Sequence, residues 1–218
     1  MRTKIEERYK MKNGGNLKLV FIGNSGSGKT TLAERVALAQ NLPMHYTGIS
    51  KLPTPNVSTD VFSSLITKQT VIRDQIFDTI FNTEEGCYDR SLFDNYCYSQ
   101  RFLGQNLSLR ASTTHYFNDL RTATAHLKWI RQLLLRREER EVTHYFYCDN
   151  IEDYVRKNGI VEEFVDDKKR YGKNDLTLQL IYDTMRRILL PLSKMTSVPA
   201  MGLEERVDFC NNVIEGLK

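Results

Sequence analysis

The sequence has no apolar run that approaches the roughly 18 to 20 residues of a membrane-spanning helix. Its N-terminus, residues 1–10, is charged throughout and lacks the apolar centre of a secretory signal. A membrane protein and a secreted protein are both disfavoured. The sequence therefore predicts a cytoplasmic protein.

Cysteine and histidine are scarce and scattered. Neither the four cysteines nor the four histidines show the spacing typical of metal ligands, and the chain has no C-x-x-C pair. The cysteines are Cys87, Cys97, Cys148 and Cys210. A zinc site and a disulfide framework are thus not indicated, and packed, reduced thiols are predicted. Internal repeats and low-complexity inserts are also lacking.

The composition is that of a globular protein. With 218 residues and 40% hydrophobic content, residues 17–218 are expected to form one domain with a sizeable core. Residues 1–16 end in Asn-Gly-Gly-Asn and are predicted to be a flexible lead. The net charge of +4 suits phosphorylated ligands without requiring nucleic acid.

The most informative motif is GNSGSGKT at residues 23–30, which matches G-x-x-x-x-G-K-[ST]. It follows an apolar, β-branched run at 17–22 and precedes a helical pattern at 31–40. Glycines let backbone amides fold around an anion at the positive end of a helix, so this motif predicts a phosphate-binding loop. The alternative is a Gly/Ser-rich turn with an accidental Gly-Lys-Thr.

Residues of this loop are predicted to hold ATP and Mg²⁺. Lys29 would reach the β- and γ-phosphates, and the hydroxyl of Thr30 would bind Mg²⁺. The predicted nucleotide-binding residues are Gly23, Ser25, Gly26, Ser27, Gly28, Lys29, Thr30 and Thr31.

A second motif, Asp89-Arg90-Ser91, follows a short strand about 60 residues after Lys29. In an open parallel sheet ligands bind at the carboxyl ends of the strands, so Asp89 and Arg90 should share the crevice of the phosphate loop. There Asp89 could accept a proton from an attacking hydroxyl or hold Mg²⁺, and Arg90 could clamp an anionic oxygen. The alternative is a surface ion pair at a strand end.

Strands and helices alternate along the chain, which predicts one doubly wound α/β unit. Strands are predicted at 17–22, 44–48, 86–89 and 142–148, with a weak edge strand at 197–201. Helices are predicted at 31–40, 61–81, 92–103, 117–140, 176–192 and 204–217. Residues 104–111 are predicted to be a polar connection.

Three stretches carry further expectations. The aromatic side chains of helix 92–103 either wall a planar ligand or belong to the core. The mixed charges at 136–141 predict a solvated face, with nucleic-acid contact as an alternative. Charged residues at 154–173 predict a lid that closes over phosphates, with Arg156 as its preferred cation.

Together, residues 23–30, the helix around Gln69 to Gln75, the Asp-Arg-Ser motif, residues 94–98 and Arg156 resemble the P-loop nucleoside and nucleotide kinases. The likeness is closer to deoxynucleoside kinases and to small phage kinases related to ribosylnicotinamide kinase domains. It implies a three-layer fold with a central five-stranded parallel sheet and a mobile helical lid. It also implies cytoplasmic localisation, in the host if the chain is phage-encoded.

The resemblance implies roles for individual residues. Asp89 would be the general base, Arg90 would bind the acceptor or the transferred phosphoryl group, and Arg156 would be a lid clamp. Gln69, Arg73 or Gln75 would face the acceptor base. One departure is that residues 47–50 lack the acidic residue that often follows the second strand in deoxynucleoside kinases.

The predicted function is therefore transfer of the γ-phosphoryl group of ATP to a hydroxyl of a nucleoside, a nucleotide or a 5-hydroxymethyl pyrimidine in DNA. An NTP-dependent switch or ATPase module is the alternative, although no Asn-Lys-x-Asp guanine motif is present. DNA as a partner, a homodimer and GTP as donor stay open.

Overall fold

The computed structural model describes residues 16–24, 26–47, 61–151, 158 and 176–218. The strands are β1 (Lys18–Ile22), β2 (Met44–Tyr46), β3 (Gly86–Asp89), β4 (His144–Cys148) and β5 (Met195–Val198). The helices are α1 (Lys29–Gln40), α2 (Val61–Phe81), α3 (Leu92–Leu109), α4 (Tyr116–Leu133), α5 (Leu176–Leu189) and α6 (Leu203–Glu215). Helix α4 continues through a π-helical turn (Leu134–Glu138) and a last helical turn (Glu139–Glu141), and a 3₁₀ turn (Leu192–Lys194) precedes β5.

The five strands form one parallel sheet in the order β2-β3-β1-β4-β5. The strand that leads into the phosphate loop is central, and the predicted α/β fold class is confirmed. Phe21 of β1 pairs with Asp89 of β3. The carboxyl ends of β1 and β3 therefore meet at the same edge of the sheet, where open α/β sheets bind ligands.

Both faces of the sheet are buried, which explains the continuous apolar run of β1. Leu19 and Phe21 point to one face, where they pack with α1 and α6. Val20 and Ile22 point to the other face, where they pack with residues of α2, α3, α4 and α5. The fold thus has three layers, with the sheet in the middle.

Helix α3 is longer than predicted. The polar composition of residues 104–111 suggested a connection, but the helix continues to Leu109. Leu103 and Leu107 pack in a small cluster with Phe62, while Gly104 and Gln105 are exposed. The polar residues are therefore the solvent face of an amphipathic helix, and the predicted connection was wrong.

Two other boundaries also differ from the prediction. Helix α1 begins at Lys29, so the loop lysine already belongs to its first turn. Strand β5 spans Met195–Val198 instead of 197–201, because Tyr145 to Cys148 pair with exactly these residues. Pro199 follows directly, and proline has no N–H to continue the ladder.

Some predicted features lie outside the described residues. These are the N-terminal lead up to residue 15, Ser25, and most of the lid, including Arg156. Among the helices that the structure describes, none is both long and apolar enough to cross a membrane.

Candidate active site

The phosphate loop depends on glycine where it leaves β1. Gly23 has a φ of +149°, and a Cβ at this position would lie 2.7 Å from the carbonyl oxygen of Cys148. Any residue other than glycine would have a strained backbone here, and its Cβ would push the loop away from β4. Gly28, with a φ of 70°, caps the N-terminus of α1 in the left-handed conformation. Glycine is therefore favoured both where the loop leaves β1 and where it enters α1.

Lys29 is buried at the base of the loop, where its Nζ donates to the carbonyl oxygen of Asn24 at 3.2 Å. Burial lowers the pKa of Lys29, and the neighbouring Arg90 guanidinium lowers it further, whereas Asp94 and Asp89 oppose the shift. The lysine is therefore held inside the loop among charges of both signs.

Thr30 and Asp89 are in direct contact, although they are 59 positions apart in the sequence. The hydroxyl of Thr30 donates to Oδ2 of Asp89 at 2.9 Å. The other carboxylate oxygen, Oδ1, is buried and has no hydrogen-bond partner among the described residues. The two predicted oxygen ligands thus lie together, with one carboxylate oxygen still available.

Arg90 has a strained backbone. Its φ of 100° is rare for a residue other than glycine, and its amide donates to the carbonyl oxygen of Phe21 at 3.1 Å. Its guanidinium lies over the ring of Tyr98, 5.6 Å from the centroid. Burial alone would lower the pKa of Arg90, but Tyr98 and the nearby carboxylates raise it. This conformation fixes the direction of the side chain at the end of β3.

Asp94 has a larger part in the site than the sequence indicated. Its Oδ1 accepts from the amide of Gly23 at 3.2 Å and from the hydroxyl of Tyr182 at 2.7 Å, and its Oδ2 accepts from the amide of Ser91 at 2.9 Å. Burial raises the pKa of Asp94, while Lys29 and Arg90 oppose this. The pattern Ser-x-x-Asp at 91–94, a capping box, was the available signal.

Glu138 was placed on a solvated face by the sequence, and that prediction was wrong. Its side chain is completely buried in the π-helical turn after α4. Its Oε2 accepts from the amide of Leu92 at 2.7 Å, and its Oε1 accepts from the hydroxyl of Tyr145 at 3.2 Å. Burial raises the pKa of Glu138 to about 8. The carboxyl group supports the start of α3, directly behind the Asp-Arg-Ser motif.

Arg206 of α6 is a second buried ionisable residue that the sequence did not single out. Its side chain is buried, and its Nη1 donates to the carbonyl oxygen of Ser27 at 2.9 Å. A Cβ on Gly28 would lie 3.2 Å from the same nitrogen. The phosphate loop is thus supported from below by a cation of the C-terminal helix.

A cavity of about 330 Å³ opens beside Arg90 and Asp94. Its wall combines an aliphatic side, two aromatic rings, two cations and two amides. The lining residues are Leu65, Lys68, Gln69, Ile72, Arg90, Asp94, Asn95, Tyr98 and Phe102. Since Asp94 also bonds to Gly23, the cavity and the phosphate loop are neighbours.

The amides of the cavity belong to a buried network. Nδ2 of Asn95 donates to both the backbone oxygen and Oε1 of Gln69, at 3.2 and 3.0 Å. Ser99 donates to Oε1 of Gln69 at 3.2 Å and lies 3.3 Å from Nε2 of His126. Burial lowers the pKa of His126 to about 4, so this ring is neutral at pH 7. The network fixes the orientation of both amides.

The other predicted site residues lie elsewhere. Arg73 pairs with Asp74 at 2.6 Å, and Gln75 is exposed. Neither lines the cavity, whereas Gln69 does. Thr31 is exposed on the first turn of α1. Of the three acceptor-site candidates, the structure therefore brings only Gln69 to the cavity.

No protein-family model and no curated protein matches the chain. Solved structures do match it. A deoxyadenosine kinase from M. mycoides with dCMP and a flexible dCDP bound is 13% identical, with a TM-score of 0.60 over 93% of this chain and 100% of that chain. The same enzyme with dATP gives a TM-score of 0.57 at 14% identity, covering 92% of this chain and 100% of that chain.

The NadR protein in complex with NR is 10% identical to the chain, with a TM-score of 0.59. The match covers 97% of this chain and 54% of NadR, so the chain spans about half of that protein. These likenesses show that the chain shares its fold with the deoxyadenosine kinase and with NadR.

Proposed function

We propose that the chain is a kinase that transfers the γ-phosphoryl group of ATP to a hydroxyl group of a nucleoside, a nucleotide or a modified pyrimidine base in DNA. The observation that carries this proposal is the cavity next to the phosphate loop, with Arg90 and Asp94 in its wall. A second substrate would fit there beside a bound triphosphate. The fold shared with deoxyadenosine kinase supports the same reading.

The loop would bind the triphosphate of the donor. Its backbone amides lie at the positive end of α1, and the first turn of this helix has no acidic residue to oppose an anion. Lys29 would exchange its bond to the carbonyl of Asn24 for the β- and γ-phosphates. Its charge would then offset the negative charge that develops in the transition state.

Thr30 and Asp89 would hold Mg²⁺. Both offer oxygen atoms, which Mg²⁺ prefers, and the unpartnered Oδ1 of Asp89 fits this chemistry. Mg²⁺ held by these residues would supply positive charge that offsets part of the negative charge of the donor phosphates.

Asp89 and Arg90 would act on the acceptor. The acceptor oxygen attacks the γ-phosphorus, the bond from this phosphorus to the bridging oxygen breaks, and ADP leaves. Asp89 has two alternative roles, either as the Mg²⁺ ligand described above or as the base that takes the proton of the attacking hydroxyl. The guanidinium of Arg90, oriented by its strained backbone and the Tyr98 ring, would bind the acceptor or the transferred group. Arg156, the lid cation predicted from the sequence, stays a candidate clamp.

The amides in the cavity would recognise the acceptor base. Nδ2 of Asn95 donates to Gln69. Its Oδ1 is a buried acceptor with no partner among the described residues. Oε1 of Gln69 accepts from Asn95 and Ser99. The amide nitrogen of Gln69 is therefore the group that could donate to a base, beside the acceptor oxygen of Asn95. One acceptor and one donor side by side complement the edge of a nucleobase, and Tyr98 and Phe102 offer aromatic faces.

A base in DNA is the second acceptor class, and the exposed cations of α4 and of the turns that continue it favour this class. Six exposed lysines and arginines follow one another along α4 and the turns that continue it, beside the half-exposed Trp129. They are Arg121, Lys128, Arg131, Arg136, Arg137 and Arg140. Cations and an aromatic ring on one helix suit a phosphate backbone, so binding to DNA should weaken steeply with salt.

The test is transfer of label from γ-labelled ATP with Mg²⁺. The acceptors are free nucleosides, monophosphates and duplex DNA that contains 5-hydroxymethyl pyrimidines. Label on a small molecule supports a metabolic kinase, and label on DNA supports a DNA-modifying kinase. Label released only as free phosphate, whichever acceptor is present, would favour an NTP-dependent switch or ATPase module and would refute the kinase proposal.

Two variants sharpen the test. Lys29→Ala should lower turnover by about 10²- to 10³-fold, as loss of a preorganised transition-state donor generally does. Asp89→Asn should keep ATP binding but lose transfer. The matched control is Asp78→Asn, on the exposed side of α2, which should behave as wild type. Full turnover in Asp89→Asn would exclude Asp89 as the general base.

A further inference from the structure

Asp94 connects three separate parts of the chain through one buried carboxylate. Oδ1 is shared by the amide of Gly23, at the start of the phosphate loop, and the hydroxyl of Tyr182 on α5. Oδ2 accepts from the amide of Ser91, which caps α3. A single side chain therefore fixes the loop, the Asp-Arg-Ser turn and α5 relative to one another.

Helix α5 also contacts the loop directly. One turn before Tyr182, Oε1 of Gln179 lies 3.4 Å from Nδ2 of Asn24. Gln179 also donates to the hydroxyl of Tyr147 at 3.0 Å, which anchors this end of α5 to β4. The helix is thus held against the sheet at the point where it touches the loop.

We propose that Asp94 and Tyr182 are a positioning pair, which holds the first residue of the phosphate loop against α5 and thereby sets the affinity of the loop for nucleotide. The inference rests on the proposed function only in that the loop binds phosphates. A loop that is already held in the binding conformation loses little conformational entropy when the nucleotide binds. A loop released from Asp94 must be ordered by the ligand, and affinity falls accordingly.

Neither residue needs to touch the nucleotide for this effect. The hydroxyl of Tyr182 acts on Asp94, and Asp94 acts on the amide of Gly23. The ring of Tyr182 packs edge-on against Phe93. Tyr182→Phe should therefore keep the packing of the core and remove only the hydrogen bond.

The matched control is Tyr88→Phe. Tyr88 is equally buried, and its hydroxyl makes a hydrogen bond of the same length, 2.7 Å, but to Thr83 instead of a group that holds the loop. Each variant loses the hydrogen bond of one buried tyrosine hydroxyl. Only one of them should change the loop.

The measurement is the dissociation constant of a fluorescent ATP analogue with Mg²⁺, together with a urea unfolding curve for each protein. Tyr182→Phe should bind the analogue about tenfold more weakly than wild type, which is the scale of one hydrogen bond to a charged group. Tyr88→Phe should bind as wild type does. Because binding is measured on folded protein, loss of stability alone does not produce this difference.

Asp94→Asn tests the other member of the pair. A neutral amide has one acceptor oxygen and cannot take all three hydrogen bonds, so the affinity should fall at least as far. Adding Tyr182→Phe to Asp94→Asn should then cost little more, since the two groups act through one contact. Full additivity would overturn the pairing, and if Asp94→Asn does not fold, the Tyr182→Phe comparison decides alone.

Failure of this inference differs from failure of the proposed function. If Tyr182→Phe binds nucleotide as well as wild type and Tyr88→Phe do, the positioning role is refuted while the kinase proposal stands. If wild-type protein binds no nucleotide, both are refuted. If binding changes as expected but no acceptor receives label, the positioning role stands and the kinase proposal does not.

Discussion

Replacing Glu138 by glutamine should stabilise the fold relative to wild type increasingly as the pH rises from about 5 to about 8. The carboxyl group of Glu138 is completely buried, and its hydrogen-bond partners include the amide of Leu92, the hydroxyl of Tyr145 and the side chain of Ser91. Glutamine has nearly the same shape as the protonated acid. Its oxygen can accept from the Leu92 amide, and its nitrogen can donate to the Tyr145 oxygen. Glu138→Gln therefore keeps the contacts of the neutral form and removes only the ability to ionise.

The size of the effect follows from the pKa of Glu138, which burial raises from 4.5 to about 8. The folded protein keeps this proton up to about pH 8, whereas the unfolded chain releases it near pH 4.5. The stability contributed by the protonated group is complete below pH 4.5 and is lost as the pH rises through about 8. At about 1.4 kcal/mol per pKa unit, Glu138→Gln should gain about 3 kcal/mol over wild type between roughly pH 5 and 8.

Urea unfolding of both proteins at half-unit steps from pH 5 to 9 measures this gain. Other titrating groups, such as His126, occur in both proteins and cancel in the difference between the two curves. Glu84→Gln, at an exposed position, controls for the loss of one carboxyl group. Parallel stability curves for wild type and Glu138→Gln would show that Glu138 is already ionised at neutral pH, and would refute the reasoning.

Three further predictions concern the site. Arg90→Gly should be more stable than Arg90→Ala by about 1 kcal/mol in urea unfolding, because glycine accepts the positive φ that alanine resists. If Arg90→Ala is the more stable variant, the backbone at this position is not strained. Gly23→Ala should weaken binding of an ATP analogue more than tenfold, because the Cβ of the alanine would lie 2.7 Å from the carbonyl oxygen of Cys148. A wild-type affinity in calorimetric titration would contradict this prediction. Asn95→Asp should change the order of preference among acceptors without changing the KM for ATP, because a carboxylate cannot donate to the Gln69 oxygens. If the values of kcat/KM for a series of acceptors keep the wild-type order, Asn95 does not recognise the acceptor base.

The fold could be predicted from the sequence because its signals are local. The apolar run of β1, the glycines of the loop and the helical periodicity after Lys29 each lie within a short window, and the motif requires them in this order. The parallel orientation of the strands then follows from the alternation of strands and helices. The contact between Thr30 and Asp89 was also predictable, since both residues follow neighbouring strands at the same sheet edge.

Helix ends and the interior of the site were less predictable. The end of α3 could not be predicted because polar residues on a solvent face resemble a connection when their partners in the core are unknown. The burial of Glu138 could not be predicted for a related reason. Its neighbours in sequence are charged and exposed, but the π-helical turn places this one side chain in the core, where the amide of Leu92 needs an acceptor.

Three buried ionisable side chains whose roles were not predicted hold the same kind of group. Asp94 binds the amides of Gly23 and Ser91, Glu138 binds an amide of α3, and Arg206 binds a carbonyl of the phosphate loop. Each contact is with the backbone, and a backbone group leaves no signature in the sequence of the partner. The residues that would contact substrate are recognisable by motif, because phosphate chemistry dictates their type. The residues that orient them are set by the packing of distant elements, so their roles emerge only from the three-dimensional structure.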